Sequence, residues 1–538
     1  MPMIDGAMQP FALTLDKFLE HASRWHPESQ VVTGREGGRA DRISYANLYQ
    51  RSRKASVVLQ DLGVRTGQRV ATLAWNTQAH VEAWYGIMGM GAVCHTLNPR
   101  LRCAQLAEMV VKSDARVLVV SADLLPLAKQ IAASAPSIEH LLLIDGSGEI
   151  AEATAGGAPS IRSLESLLAQ AQGDVVWGEF EETAPCGLCF TSGTTGAPKG
   201  VTYTHRSSFL HTMRALQADV MAVSARDSVL VAVPMFHANA WGLPFAVPAA
   251  GGKLVLPGRH TDGASLSSLI NREAVTIAVG VATVWLDLVE HAENTGLHVP
   301  TLERIIVGGA PLPPALMERI ERRLGVTIQT SWGMTELSPS GTVSAPHIAA
   351  RSAHLSGRPA VGVDLLLTDA DGHPLPEQRG VEGHLRVRGA AVIDRYFGEE
   401  VSATDANGWF PTGDLARIDA AGNLAITGRA KDLIKSGGEW INPAEIEAAV
   451  SALPEVALAA VIGRPHPKWG ERPVLVVQLR ASQPISDEAL LAPLRGRVAP
   501  WWTPDEVIRV PSIPLSPTGK IDKARLRLEF GGEQWLQK

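Results

Sequence analysis

Ten residues, Thr191-Ser-Gly-Thr-Thr-Gly-Ala-Pro-Lys-Gly200, restrict this chain more than any other stretch. They follow an apolar run at 184–190 that reads as a buried strand, and a helix is expected to start near Thr204. The ten residues would then fill a strand-to-helix turn. Gly193, Gly196 and Gly200 let backbone N–H groups approach an anion with no Cβ in the way. Thr191, Ser192, Thr194 and Thr195 add hydroxyl donors, and Lys199 adds a point charge. A polyphosphate suits such a turn. The P-loop spacing is absent, because Pro198 precedes the lysine and Gly200 follows it, so a kinase or ATPase of that class fits poorly. A Gly/Ser/Thr cluster taken alone is most often a surface loop, and the rest of the chain has to decide.

At 538 residues the chain is too long for one core, and two or three domains are expected. Hydrophobic residues at 45% and charged residues at 19% mark a soluble globular protein. The net charge of −6 is modest and unclustered, which argues against a nucleic-acid binder. No run of eighteen apolar residues occurs, and Met1-Pro-Met-Ile-Asp lacks the basic start and apolar core of a signal peptide. No membrane span and a cytoplasmic location are therefore expected. Cys186 and Cys189 form a C-x-x-C, but neither a second pair nor a histidine sits at zinc-site spacing. Both read as small buried core residues. The other two cysteines are Cys94 and Cys103.

Over residues 1–180, strand and helix signals alternate, which implies a parallel sheet covered by helices. Ser44 reads as the N-cap of a helix ended by Gly63, a strand follows at 69–75, and another helix follows Asn76. Further strands are expected at 117–120 and 141–144, and a surface loop at 146–160. Beyond the glycine-rich turn, Phe209, Leu210, Met213 and Leu216 predict an apolar helix face packed in the core. An apolar strand then breaks at Pro234 and leads to His237 and Trp241; a lone histidine there is more often structural than catalytic. The run 302–307 ends in Gly308-Gly309-Ala310-Pro311, where missing side chains would let a flat ring approach the backbone. Asn442 is expected to cap a helix with Pro443 in its first turn, Glu445 closing the box, and Ile446, Ala449 and Val450 on its buried face.

Several strings recur together: TSGTTGAPKG, PMFHANAWG, SWGMTE, FPTGD, GRAKD, SGGEWINPAEIE and PLSPTGK. Over nearly its whole length the chain resembles the adenylate-forming enzymes, which comprise acyl-CoA synthetases, peptide-synthetase adenylation domains and firefly luciferase. Within them it is most similar to medium-chain and 3-methylmercaptopropionate-CoA ligases. The resemblance implies an α/β fold with a large N-terminal domain of several subdomains, its parallel and mixed sheets covered by helices, at 1–430. A small α+β C-terminal domain at 431–538 would rotate about Lys431.

The resemblance also assigns roles. Thr191, Ser192, Gly193, Thr194, Thr195 and Lys199 would hold the ATP phosphates. Gly309, Ala310, Pro311, Trp332, Gly333 and Met334 would border adenine, with Trp332 standing where tyrosine is common. An indole stacks on a base at least as well as a phenol. Thr335 would bind the AMP phosphate and Glu336 a Mg²⁺ ion, which needs only one or two carboxylates. Asp414 would receive both ribose hydroxyls, reinforced by Arg429. His237, Trp241, Gly308, Gly309, Trp332 and Gly333 would line the acyl pocket, His237 as an aromatic gate near the carboxylate. Lys520 would be the adenylation lysine, with Lys523 a solvated charge. Gly437, Gly438 and Trp440 would form the passage for CoA.

The activity implied is ATP-dependent joining of a small carboxylic acid to CoA through an acyl-AMP, with 3-methylmercaptopropionate as the expected acid. Amino acids are disfavoured, because Phe236-His237-Ala238 lacks the aspartate that would pair a buried ammonium. A general short- or medium-chain fatty-acid ligase, a non-catalytic nucleotide-binding protein of the same fold and a luciferase-type oxidase stay open, as does a homodimeric assembly.

Overall fold

Strand and helix signals that alternate along the chain become parallel pairing in the computed structural model, which describes residues 5–146, 158–191, 198–348, 351–480, 485–516 and 520–532. Two large sheets carry the N-terminal region. A seven-stranded sheet takes its strands from 69–204 and a nine-stranded sheet from 30–44 and 228–359. Pairing is parallel through their centres, and antiparallel at both ends of the nine-stranded sheet and at one end of the seven-stranded sheet. Predominantly apolar strands such as Val117–Ser121 and Ile277–Gly280 are buried along their whole length, as parallel strands covered on both faces should be. The helix Gln78–Gly89, capped by Thr77, is buried all round after its first residue. Gly89 permits this: a Cβ there would lie 2.5 Å from the Trp177 ring.

Ser44 caps the helix Tyr45–Asp61 as expected, its side chain accepting from the Asn47 amide at 3.3 Å. Cys94, Cys186 and Cys189 are buried, and burial pushes their thiols up in pKa, to about 12 for Cys186. No described helix is long and apolar enough to cross a membrane.

A four-stranded antiparallel sheet at 363–429 follows, and a five-stranded sheet is built from 434–509. The short turn Ala430–Asp432, with Lys431 in its middle, joins the two. In the second of these sheets the helix Pro443–Ser451 buries Ile446, Ala449 and Val450.

Four local expectations are corrected. The glycine-rich segment joins two antiparallel strands, Pro185–Thr191 and Lys199–Thr204, so it is a hairpin connection; the helix His205–Ala215 starts only after the second strand, with Thr204 as its cap. In that helix the buried face is polar, and Met213 is 48% exposed. The reason is that its inward neighbours are polar: His205 Nδ1 accepts from the Leu15 amide at 3.2 Å and His211 Nε2 from the Ser340 amide at 3.2 Å. Asn442 caps its helix, its Oδ1 accepting from Ala444 N at 3.1 Å, while its side-chain amide donates to the Thr427 carbonyl at 2.8 Å; the cap is this single bond and not a box closed by Glu445. Lys523 is not a solvated charge: its ammonium lies 2.7 Å from Glu447 Oε1 in a largely buried pair. Of the expected loop at 146–160, residues 147–157 lie outside the described residues, and Ser160 opens a strand.

Candidate active site

Asp414 and Arg429 face each other across the antiparallel strands Phe410–Ile418 and Leu424–Arg429. Arg429 Nε lies 2.8 Å from Asp414 Oδ1, and Trp332 Nε1 donates to Oδ2 at 2.9 Å. The aspartate is 2% exposed. Burial pushes its carboxyl up in pKa, while Arg429 and the indole oppose that. An acceptor fixed by donors on both oxygens keeps lone pairs for a diol and does not have to reorganise to use them. Trp332 therefore does more than offer a ring face, since its N–H orients Asp414. The indole is itself fixed, because a Cβ at Gly341 would lie only 2.4 Å from Trp332 Cζ3.

Glu336 stands in the turn Thr335–Leu337 and is 7% exposed. Tyr396 donates its hydroxyl to Glu336 Oε1 at 3.0 Å, and the Lys199 ammonium lies 4.7 Å from the Tyr396 ring centroid. The outgoing strand of the glycine-rich hairpin is thus tied to Glu336 through one tyrosine. Phe397 N donates to the Gly200 carbonyl at 2.7 Å and holds this arrangement from behind. Burial raises the Glu336 pKa, opposed by its backbone, Tyr396, Arg429 and Lys199. A buried carboxylate held by a phenol on one oxygen fits Mg²⁺, a hard cation that completes its shell with phosphate oxygens and water. The Thr335 carbonyl accepts from the Tyr203 hydroxyl at 2.9 Å. Gly333 is required by a close backbone: a Cβ there would meet the Pro339 carbonyl at 2.3 Å, to which Met334 N donates at 3.0 Å.

His237 precedes a run of left-handed backbone to which Trp241 belongs. Ala238, Asn239, Ala240 and Trp241 have φ of 45°, 50°, 48° and 54°. Each such residue costs roughly 1–2 kcal/mol, so the surroundings must hold the turn in place. Cys189 Sγ donates to Asn239 Oδ1 at 3.3 Å, and the His211 ring abuts Gly242, the last residue of the turn. The result is that the Trp241 ring reaches the end of the strand Arg304–Val307, with Cη2 2.9 Å from where a Gly308 Cβ would be. His237 is held neutral, its pKa pushed down to about 4 by burial and by the charge of Lys520.

Between these groups lies a cavity of 260 Å³ lined by Phe236, His237, Trp241, Gly309, Arg100 and Lys520, among others. Lys520 reaches it from a segment 91 positions beyond Arg429 in the sequence. Its ammonium is desolvated there, which lowers its pKa; Arg429 and Lys431 lower it further, while Asp414 and Glu336 pull it up. The lysine therefore shares one electrostatic site with both acids. Ala310 is half-buried and Pro311 exposed beside Gly309. Gly437, Gly438 and Trp440 do not line the cavity; Trp440 is 53% exposed. Thr191 and Lys199 flank the hairpin connection, and the Thr191 hydroxyl donates to the Lys199 carbonyl at 3.3 Å. Ser192, Gly193, Thr194 and Thr195 lie outside the described residues.

Three participants escaped sequence reasoning. Tyr396 is one of only five tyrosines and sits beside Phe397 in a polar loop, a signal that could have marked it. Arg100 follows a turn-forming Asn98-Pro99 and gave none. Asn239 could be recognised only once the left-handed turn was known.

The comparisons agree with this geometry. The family described as AMP-binding enzyme matches residues 19–397, and that described as AMP-binding enzyme C-terminal domain matches 445–520. The 3-methylmercaptopropionyl-CoA ligase of Ruegeria pomeroyi is 40% identical, over 98% of this chain and 98% of its own length. The medium-chain-fatty-acid–CoA ligase of Ectopseudomonas oleovorans is 39% identical, over 98% and 97%. The crystal structure of ATP-bound MatB from Rhodopseudomonas palustris superposes with a TM-score of 0.84 at 25% identity, covering 96% of this chain and 99% of that one. The chain belongs to the AMP-binding enzyme family, as an AMP-forming acyl-CoA synthetase.

Proposed function

We propose that this enzyme joins 3-methylmercaptopropionate to CoA in two steps. In the first, a carboxylate oxygen attacks the α-phosphorus of ATP, the bond from that phosphorus to the bridging oxygen breaks, and pyrophosphate leaves. In the second, the thiol of CoA gives up its proton, its sulfur attacks the acyl carbonyl, and AMP leaves. Neither step needs a nucleophile from the protein. Catalysis consists of positioning and charge neutralisation.

The observation that carries this reading is the meeting of Lys520 with His237, Trp241 and Gly309 at one cavity, within the electrostatic reach of Glu336 and Asp414. Lys520 would bridge the carboxylate and the α-phosphate, Asp414 and Arg429 would hold the ribose, and Trp332 would border the adenine. Glu336 would hold Mg²⁺, which when bound neutralises phosphate charge. Neutral His237 presents a ring and no competing charge to the entering carboxylate. The choice of acid is supported by the indole of Trp241 and by the relatives: sulfur–aromatic contacts contribute about 0.3–1.5 kcal/mol. A hydrocarbon acid would also suit such a wall, and the medium-chain relative favours that second reading. Rotation about Lys431 would then exchange Lys520 for the face bearing Gly437, Gly438 and Trp440.

Pyrophosphate release measured over a panel of acids, with and without CoA, tests the assignment. Methylmercaptopropionate is expected to lead. If it falls far behind butyrate and hexanoate, the acid is wrong and the reaction class survives.

A further inference from the structure

Lys520 belongs to a loop whose two limbs are pinned together. Leu515 and Ile521 form a β-bridge, Ser516 N donates to the Lys520 carbonyl at 2.6 Å, and Asp522 N donates to the Pro514 carbonyl at 2.9 Å. Asp522 then caps the helix Lys523–Phe530, accepting from Arg525 N at 3.0 Å. Whatever fixes this helix fixes Lys520.

The helix is fixed on one face. Leu526 is fully buried in a small apolar cluster with Ala460, Ile462 and Ile513. Lys523 and Arg527, four apart and so on one side, each meet a carboxylate from elsewhere. Lys523 Nζ lies 2.7 Å from Glu447 Oε1, which also accepts from Val461 N at 2.6 Å. Arg527 donates to Asp432 Oδ1 at 2.7 Å. Side-chain exposures of 14–19% set these pairs apart from Arg525–Glu529 on the outer face of the same helix, at 64% and 41%. Exposed pairs contribute little, whereas removing one partner of a shielded pair leaves a charge without its counterion. Lys523 also holds down the pKa of Asp432, so the four groups act as one network.

Asp432 is the residue next to Lys431. We propose that Arg527 and Lys523 are positioning residues for Lys520: through Asp432 and Glu447 they weld the lysine loop to the turn Ala430–Asp432, so that movement at that turn delivers the ammonium as part of one rigid body. The proposal rests on the two-step reading given above. It gives the network work in the step that uses Lys520 and none in the step that does not.

The test compares Arg527→Gln, Arg527→Lys and Arg525→Gln with the unchanged enzyme in two assays, acid-dependent pyrophosphate release and thioester formation from supplied acyl-AMP, alongside the melting temperature. A displacement of about 1 Å can cost on the order of a hundredfold, so Arg527→Gln should slow adenylation roughly ten- to a hundredfold in kcat with the KM for ATP unchanged. Thioester formation should continue at its original rate, Arg527→Lys should recover most of the adenylation, and Arg525→Gln should match the unchanged enzyme. Equal adenylation by Arg527→Gln, or a parallel fall in both half-reactions with a lowered melting temperature, would overturn the proposal. An unchanged enzyme that releases no pyrophosphate would overturn the two-step reading and this proposal with it.

Discussion

The two faces that would meet the substrates are built to different standards. On the nucleotide side, Asp414, Trp332 and Glu336 are 2%, 8% and 7% exposed, and each is bonded to a named partner from another strand or loop. On the face expected to serve CoA, Gly437 and Gly438 are exposed with φ of 61° and 91°, and Trp440 stands 53% in solvent, the Lys435 ammonium 5.3 Å from its ring centroid. The first face is preorganised and the second is not yet enclosed. The proposed use of one site for two successive reactions, by exchange of one wall, expects this contrast at its first step.

The sharpest way to break that contrast is Lys520→Ala. It is expected to slow adenylation by about 10²–10³-fold, the usual cost of one preorganised donor, and to spare thioester formation from supplied acyl-AMP. Equal failure in both half-reactions would mean that the faces are not specialised. Next in size is Trp332→Phe, which keeps a ring but removes the N–H to Asp414. A hydrogen bond to a charged group contributes about 1.5–3 kcal/mol, so the KM for ATP should rise roughly ten- to a hundredfold. An unchanged KM would reduce Trp332 to a wall.

The pH profile sharpens the account further. Desolvation lowers the Lys520 pKa, so the charged form is lost at a lower pH than for an ordinary lysine. The alkaline limb of kcat/KM for adenylation, which reports the free enzyme, should therefore begin below the normal lysine range and shift upward in Lys520→Arg. The smallest effect belongs to the open face. Trp440→Ala is expected to raise the KM for CoA a few-fold and to leave pyrophosphate release in the absence of CoA as it was.

What could be read in advance followed the physics of each segment. Apolar runs such as 117–120 and 141–144 announce buried parallel strands by composition alone, and the caps at Ser44 and Asn442 by local chemistry. The helix His205–Ala215 defeated the same reasoning, because its buried face meets backbone amides such as those of Leu15 and Ser340 and its apolar residues lie partly outside. The left-handed turn at 238–242 gave no warning, since Ala-Asn-Ala-Trp carries no conformational demand of its own; neighbours such as Cys189 impose it. Lys523 reads as surface charge for a similar reason: its partner Glu447 is 76 positions away. Motif strings located Asp414, Glu336 and Lys520, but the contact of Glu336 with Tyr396 is tertiary and belongs to no string.

The most direct measurement identifies the nucleotide left when the enzyme is given ATP, magnesium and a small fatty or thioether acid without CoA, followed by addition of the thiol. The account predicts pyrophosphate with an enzyme-held acyl-AMP first, then free AMP and thioester once CoA arrives. ADP in place of AMP, or no nucleotide product with any acid tried, would contradict it.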